Sequence, residues 1–339
     1  MIKVNNFNLS LDRKEKNTDL DFISHAHSDH ISASKSSKSV ISSDETADLI
    51  KAAYDIEVKR AFNYNTKIIK LIDSGHMLGA KQISIEDYNL GKKIIYSGDY
   101  LMSESLAAPK IKIEACDVLI IDSTYPSPNF RFNPRKEVEY QIEEWVEKKI
   151  NEGIILFSAY SMGKAQELIK IMNNIGITPV VNEKINSISK VYNKYNSNLK
   201  YVSVYNEADK DRVSDLLNDN FVGIINGNSI KNTKHMLSFL HKKPVFTAVA
   251  TGFSNIYKSS TDASFQLSDH SDFYQSLDYI EATGAKEVYT YGGNSELFAE
   301  NLRKLKVNAQ PFKNFKQTEN LIKININNIK LNNFIIKQI

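Results

Sequence analysis

The 339 residues predict an α/β protein of about two units, on three observations. Short apolar runs end again and again in polar, turn-forming clusters. Several of those runs carry no polar alternation, and after about residue 127 strands alternate with amphipathic helices.

The first 125 residues supply the first pattern. LDFISHAHSDH, TKIIKLIDSGHMLGA, KKIIYSGDY and CDVLIIDSTYPSP each read as a strand running into a loop. The runs Ile94 to Tyr96 and Val118 to Ile121 are apolar throughout, which argues for a sheet covered on both faces, and so for a layered arrangement. The Pro-containing segment PSPNFRFNPRK then marks a change. EVEYQIEEWVEKKI has helical spacing, with Trp145 at core spacing beside Val138 and Ile142, GIILFS reads as a strand, and GKAQELIKIMNNIG reads as a helix ending at Gly176. LKYVSVYN, ADKDRVSDLLND, NFVGIING, TKHMLSFLHKK and PVFTAVATG continue the alternation to about residue 252, the pattern of a second α/β unit with a parallel sheet. SDHSDFYQSLDYIEATG and KEVYTYGGNSELFAENLRKL return to the style of the opening segment, so the second unit reads as an insertion in the first. The tail ININNIKLNNFIIK alternates enough for an edge strand and is assigned no function.

Composition narrows the class. Lys and Arg number 43 against 40 Asp and Glu, a net charge of +3, and 42% of residues are hydrophobic, values of a globular protein. That balance lacks the strong basic footprint of a protein whose whole surface grips nucleic acid, but leaves room for a local basic groove. No apolar run approaches the ~18 residues of a membrane span, and the N-terminal stretch lacks the apolar core of a secretory signal. A cytoplasmic protein with no membrane partner is the expectation. Cys116 is the single cysteine, so a metal site must be built from histidine and carboxylate.

His25, His27, Asp29 and His30 occupy the six residues HAHSDH after an apolar run. In an extended stretch His25 and His27 share a face, and a turn at Ser28 and Asp29 aims Asp29 and His30 at a second point nearby. Two adjacent ion sites are the expected product. Nitrogen and oxygen donors suit zinc or manganese, and geometry alone does not distinguish iron. Lys, Glu and Asp would serve a merely solvated loop as well, yet three of the seven histidines fall within these six residues. His76, in DSGHMLGA, and Asp99, in SGDY, offer further ligands at other strand ends.

The series HAHSDH, Gly75-His76 and Ser97-Gly98-Asp99 resembles the metal motifs of the metallo-β-lactamase fold, in that family's order. The resemblance implies that His25, His27 and His76 hold one metal, that Asp29 and His30 hold a second, and that Asp99 bridges both. Asp12, in NLSLDR, resembles the supporting aspartate of the first motif. Two cations so bridged sit about 3.5–4 Å apart, sharing one hydroxide for attack on a phosphodiester; Asp29 counts among the catalytic residues as well as the ligands.

IIDSTY, which contains Asp122, resembles the acidic motif A of the β-CASP nucleases, and LSDHSDF, which contains His270, resembles their histidine motif B. The resemblance implies an αββα sandwich formed by residues 1–126 and 253–339, with an inserted α/β β-CASP domain at 127–252. His270 would act as general acid, with Asp122 orienting its ring. The competing readings are a carboxylate capping Ser123 and Thr124, and a histidine that merely precedes a helix. One departure matters: where RNA-processing members carry a third histidine, EVYTYGGNSE has Tyr291, a poor ligand at neutral pH. The second metal should therefore bind more weakly than the first, and the departure, shared with Artemis-type members, leans the substrate toward DNA.

In SAYSMGKAQELIK a helix begins near Gly163 and Lys164, an arrangement that points backbone N–H groups and a lysine at an anion. GKAQ resembles the corresponding stretch of the DNA-ligase-associated and Artemis-type exonucleases. Ser158, Ser161 and Lys164 are therefore expected to hold a substrate phosphate, such as a terminal 5′-phosphate, with TGFS at Thr251 to Ser254 as a second contact. His235 and His241 sit among lysines and read as solvated or phosphate-facing rather than as ligands.

The expectation is thus a metal-dependent phosphodiesterase, a 5′-to-3′ DNA exonuclease holding one tight and one weaker Zn²⁺, with Mn²⁺ as an alternative activating metal and DNA-repair or ligase partners. An RNA-processing nuclease, akin to archaeal mRNA 3′-end-processing factors, is the rival. A lactonase or thioesterase would leave the insertion without a purpose, and a non-catalytic scaffold would not keep every core ligand.

Overall fold

The computed structural model describes residues 1–35, 39–61, 64–204, 214–215, 218–227, 230–254 and 259–312. The edge strand read in the tail lies outside these residues, as does most of the helix read at ADKDRVSDLLND. No helix of the described residues is long and apolar enough to cross a membrane.

The chain opens with strands β1 (Ile2–Val4), β2 (Phe7–Leu11), β3 (Leu20–Phe22) and β4 (Val40–Ile41), which form one sheet in that order, followed by helix α1 (Asp44–Tyr54). Asn5, at φ 51, makes the tight turn between β1 and β2, a conformation asparagine tolerates. Strands β5 (Ile69–Asp73), β6 (Lys81–Asp87), β7 (Lys92–Tyr96) and β8 (Val118–Asp122) begin a second sheet. Here β5, β6 and β7 are antiparallel neighbours, and β8 joins β7 in parallel.

A third sheet follows, built from helix α2 (Arg135–Ile150), β9 (Ile154–Ala159), α3 (Lys164–Asn174), β10 (Val180–Val181), α4 (Glu183–Lys194), β11 (Val202–Ser203), β12 (Val222–Asn226), α5 (Ile230–His241), β13 (Val245–Ala250) and β14 (Ala263–Phe265). Its strand order is β11-β10-β12-β9-β13-β14 and every pair is parallel. The chain then returns to the second sheet with α6 (Phe273–Thr283), β15 (Glu287–Tyr291), α7 (Ser295–Lys304) and β16 (Ala309–Pro311), completing the order β16-β15-β8-β7-β6-β5.

Side-chain alternation explains the layers. Leu9, Leu11, Phe22 and Ile41 of the first sheet share one core with Ile83, Tyr96, Val118 and Ile120 of the second, so the two sheets pack face to face. The opposite face of the second sheet, through Ile95, Leu119 and Ile121, is covered by Tyr279, Phe298 and Leu302 of α6 and α7. On the far side of the first sheet, Val40 packs with Leu49 and Ile50 of α1. In the third sheet Ile155 and Phe157 face α2 and α3, while Ile154 and Leu156 face Leu237 of α5. Both faces are dry, which is why these strands read as unbroken apolar runs. Trp145 packs edge-on against Phe157 and Phe265 at 5.9 and 5.7 Å, while His235 is exposed on α5.

The third sheet extends past residue 252, where the sequence reading ended it, because β14 pairs along β13. Three residues, Ala-Ser-Phe, are too few to show as an apolar run, and Phe265 is the only one fully buried.

One apolar core contains Ile23 and Met77 together with Met162, Leu168 and Ile188, so the parallel-sheet unit shares its interior with the other layers. A buried ionic network reinforces that seam. Arg135 donates to the Ser268 carbonyl and to Glu167, both at 2.6 Å, and Glu167 also accepts from the backbone of Leu106 and Ala107 and from Ser105 Oγ. Removing Arg135 would strand a buried carboxylate. We predict that Arg135→Ala costs about 3–5 kcal/mol in urea unfolding, and a loss under about 1 kcal/mol would show that the network does not hold the seam.

Candidate metal centre

The site gathers at the ends of β3, β5, β7 and β8, where strands give way to loops. Two glycines let the backbone close on itself there. Gly75 has φ +82, and a Cβ on it would meet the Leu101 carbonyl oxygen at 2.3 Å; Gly98 has φ +53, and a Cβ would meet Ser24 Cβ at 2.6 Å. Gly98 thereby lets Asp99 close on the loop after β3 that carries His25, and Gly75 lets the loop carrying His76 pass against Leu101.

His25, His27, His76 and Asp99 bring one ligand atom each within 4.8 Å of one another, and Asp99, Asp122 and His270 do the same on the adjoining side. Asp99 Oδ2 is the hub: it lies 3.4 Å from His25 Nε2, 3.5 Å from His30 Nε2, and 3.8 Å from His76 Nε2 and from His270 Nε2.

The protons can be placed by elimination. Asp12 accepts from Ser24 Oγ at 2.6 Å, so that hydroxyl must itself accept from His25 Nδ1 at 2.9 Å. His27 Nε2 donates to the Met162 carbonyl at 3.3 Å, and His76 Nδ1 donates to the Asp269 carbonyl at 2.8 Å. The remaining nitrogens, His25 Nε2, His27 Nδ1 and His76 Nε2, are then all lone pairs, yet His27 Nδ1 lies 3.1 Å from each of the other two. Three acceptors facing one another are satisfied by a cation. The donor set, three neutral imidazoles and a carboxylate with no sulfur, fits zinc or a metal of similar preference.

Electrostatics divides the histidines. Burial, followed by the neighbouring imidazoles, drives His25 and His76 well below the ordinary histidine range, and burial brings His27 down to about 4 against the Met162 carbonyl. Burial opposes charge on His30 and His270 too, but there carboxylates prevail. Asp99 and Asp12 hold His30 well above the usual range, and Asp99 and Asp122 push His270 up to about 9. Burial pushes Asp99 up to about 6, with His30 pulling the other way.

Asp122 makes both contacts considered for it. Its Oδ1 accepts from the Thr124 N–H at 3.0 Å and hydroxyl at 2.9 Å, while its Oδ2 accepts from His270 Nδ1 at 3.0 Å. The helix cap beyond His270 is made by Asp272, with Gln275 reciprocating. Asp12 is buried and also accepts from His30 Nδ1 at 2.8 Å and Tyr96 Oη at 2.7 Å. Asp29 stands apart: its side chain is 78% exposed, with Oδ2 3.5 Å from His30 Nε2, whose hydrogen bond holds the carboxyl well below the usual range. Tyr291 takes its place at the end of β15, its ring edge-on to Tyr96 at 5.4 Å.

The expected phosphate cradle does not form as read. Gly163 caps α3 and Lys164 begins it, but the Lys164 ammonium is buried, donating to Asp269 Oδ1 and the Leu267 carbonyl, both at 2.7 Å. Burial lowers its pKa and Asp269 opposes. Ser158 is buried at the end of β9, while Ser161 and Lys164 line the cleft, Lys164 with its ammonium engaged by Asp269. Thr251 lines the cleft as well. The residues unread in the sequence are those that orient the ligands: Met162 and Asp269 act through carbonyls, which have no residue-type signature, and Tyr96 through one hydroxyl. The centre opens on a cleft of about 650 Å³ lined by His27, His30, His270, Tyr125, Tyr160 and Phe253, among others.

Face-to-face sheets, a parallel-sheet unit and a convergent histidine–aspartate cluster define an α/β protein with a candidate metal centre where the layers meet. No protein-family model matches the sequence. Curated relatives do. The chain is 26% identical to a probable DNA ligase of Opitutus terrae over 83% of its own length and 27% of that protein's. It is 33% identical to an RNase J-like protein of Methanocaldococcus jannaschii over 47% of this chain and 44% of that protein. A further match, an uncharacterised protein of Acidianus ambivalens encoded in a lig 3′ region, is 33% identical across 88% of its length and 38% of this chain. The chain belongs to the metallo-β-lactamase/β-CASP family. It spans less than half the length of the first two relatives. A crystal structure of a protein of unknown function from Enterococcus faecalis shares the fold, with TM-score 0.56 at 14% identity over 84% of this chain and 78% of that one.

The pKa directions set a pH profile for the metal-free protein. Unfolded, His25, His27 and His76 take up protons from about 6.5 downward, whereas folded they resist, so stability falls as pH drops below about 6.5; Asp99, raised to about 6, opposes as one group against three. His30 and His270 stabilise the fold below 6.5 and lose that contribution as pH rises, for His270 through about 9. Thermal unfolding in chelator should therefore peak near neutrality, and a steady rise from about pH 7 to about pH 10 would contradict the assignment.

Proposed function

We propose that this chain is a metal-dependent phosphodiesterase that cleaves nucleic acid, with a 5′-to-3′ DNA exonuclease as the leading form. The observation that carries this reading is the juxtaposition of two differently tuned groups about Asp99: three imidazole lone pairs aimed at one point, and the His270–Asp122 pair beside them. His25, His27, His76 and Asp99 would hold the first cation, and His30, Asp29 and Asp99 a second, weaker one. A bound cation would supply Lewis-acid polarisation of a phosphoryl oxygen and charge neutralisation. His270, protonated at neutral pH through its raised pKa of about 9, delivers its Nε2 proton to the departing oxygen, while Asp122 holds Nδ1 and fixes the ring. The same reading keeps the division made from the sequence, residues 1–126 and 253–339 as the metallo-β-lactamase domain around a β-CASP insertion at 127–252, with β14 lengthening the insertion's sheet.

DNA is favoured by Tyr291, which cannot complete a second metal's ligands as the histidine of RNA-processing members does, and by the probable DNA ligase relative matched over most of this chain. That relative also suggests a setting in DNA-end repair beside a ligase. The RNase J-like relative supports the second reading, an RNA-processing nuclease on the same centre.

Digestion of end-labelled DNA and RNA, single- and double-stranded, with and without 5′-phosphate, under Zn²⁺ and Mn²⁺ tests the assignment. Mononucleotides released from the 5′ end of DNA are expected; internal RNA cuts alone would replace the DNA reading with the RNA one. His270→Ala should lower cleavage by about 10²–10⁴-fold with metal content unchanged. Asp99→Ala should abolish both cleavage and tight metal binding, and full activity in that variant would refute the mechanism. Elemental analysis after dialysis should find one tightly held ion per chain; two would overturn the weak second site.

A further inference from the structure

Asp12 turns the backbone through φ 55, and its carboxylate is fully occupied by Ser24, His30 and Tyr96. The next residue, Arg13, is exposed and lines the cleft. Its guanidinium carbon sits 5.2 Å from the centroid of the Tyr291 ring. That ring leans on Tyr96, whose hydroxyl returns to Asp12. The four residues close a loop of contacts, so the cation rests on a platform tied to a ligand-supporting aspartate.

Among the described residues no carboxylate forms an ion pair with Arg13. Of the other cations in the cleft lining, Lys164 is spent on Asp269, and Lys184 belongs to α4 in the parallel-sheet unit. The Arg13 side chain also hydrogen-bonds Tyr291, and a guanidinium carries five donors, so others remain to face the cleft. Their planar fork matches two phosphate oxygens, and stacking lowers the conformational freedom that binding must remove. Arg13 also lines the cleft beside His30 and Asp29, the side where Tyr291 offers a ring in place of a ligand.

We propose that Arg13, seated on Tyr291, binds a phosphate of the nucleic-acid strand next to the metal centre, with Tyr291 as a positioning residue. This rests on the nuclease reading.

The test is anisotropy titration of a fluorescein-labelled single-stranded DNA oligonucleotide with chelator-treated protein across a salt series. Arg13→Ala should weaken binding about tenfold and make the slope of log affinity against log salt shallower by about 0.7, the value of one phosphate contact on a single strand. Arg13→Lys should recover the slope but only part of the affinity. Tyr291→Phe keeps the ring but loses the hydroxyl that Arg13 bonds and should bind between wild type and Tyr291→Leu, which should lose more affinity without the slope change. Unfolding curves identify any variant that fails to fold, and Arg13→Lys then stands in for it. An Arg13→Ala protein with unchanged slope and affinity overturns the proposal, as does an equal loss in Lys148→Ala, an exposed α2 cation outside the cleft lining. If wild type neither binds nor cleaves any nucleic acid, the nuclease reading falls and takes this proposal with it; wild-type cleavage with an indifferent Arg13→Ala removes Arg13 alone.

Discussion

Three imidazole lone pairs held face to face is the arrangement on which the rest of the structure depends. Left to themselves, His25, His27 and His76 would turn so that an N–H met a lone pair. Each is prevented by a partner on its other nitrogen: the Ser24 hydroxyl for His25, the Met162 carbonyl for His27 and the Asp269 carbonyl for His76. Those partners come from three separate stretches. Ser24 follows β3, Met162 precedes α3 in the parallel-sheet unit, and Asp269 lies on the return from that unit. The centre is thus complete only when the parallel-sheet unit is docked, which gives its shared apolar core and the Arg135–Glu167 network a consequence beyond stability.

The same partners sort the histidines by charge. Where the outer nitrogen meets a carbonyl or hydroxyl and the inner one meets other imidazoles, burial wins and the ring stays neutral, as a ligand must be. Where the outer nitrogen meets a carboxylate, Asp12 for His30 and Asp122 for His270, the proton is held. Environments that push like groups apart in this way are how one site assembles an acid and a set of bases at a single pH. Lys164 belongs to this logic too: pairing with Asp269 fixes the residue whose carbonyl orients His76.

Much of this was legible in the sequence, and the reasons are specific. HAHSDH stood out because alternate residues of an extended chain share a face and because so few histidines exist elsewhere. The dry runs of β8 and β9 showed because both faces are covered. That the parallel sheet runs past residue 252 was not legible, because β14 is three residues whose strand character comes from pairing with β13, a nonlocal property. Lys164 was misread for a like reason. A Gly-Lys at a helix start looks solvent-facing until Asp269, 105 residues away in sequence, is placed against it. Carbonyl ligand supports such as Met162 have no compositional trace at all.

These arrangements also explain why a net charge of +3 says little about the partner. In the cleft the Lys164 charge is cancelled by Asp269, leaving Arg13 and Lys184 as the other lysine and arginine charges of the lining. The remaining positive charge resides on groups that composition counts as neutral. Burial disfavours charge on His30, but Asp99 and Asp12 raise its proton affinity, and a cation bound there would compete with that proton. One positive charge would be exchanged for a larger one at the same point, so on the proposed reading metal occupancy and pH act on a phosphate alongside Arg13, and the overall count of basic residues says little. A chain can therefore hold a polyanion at its centre while its surface stays nearly balanced, because the field that matters is focused in a cleft with low-dielectric walls.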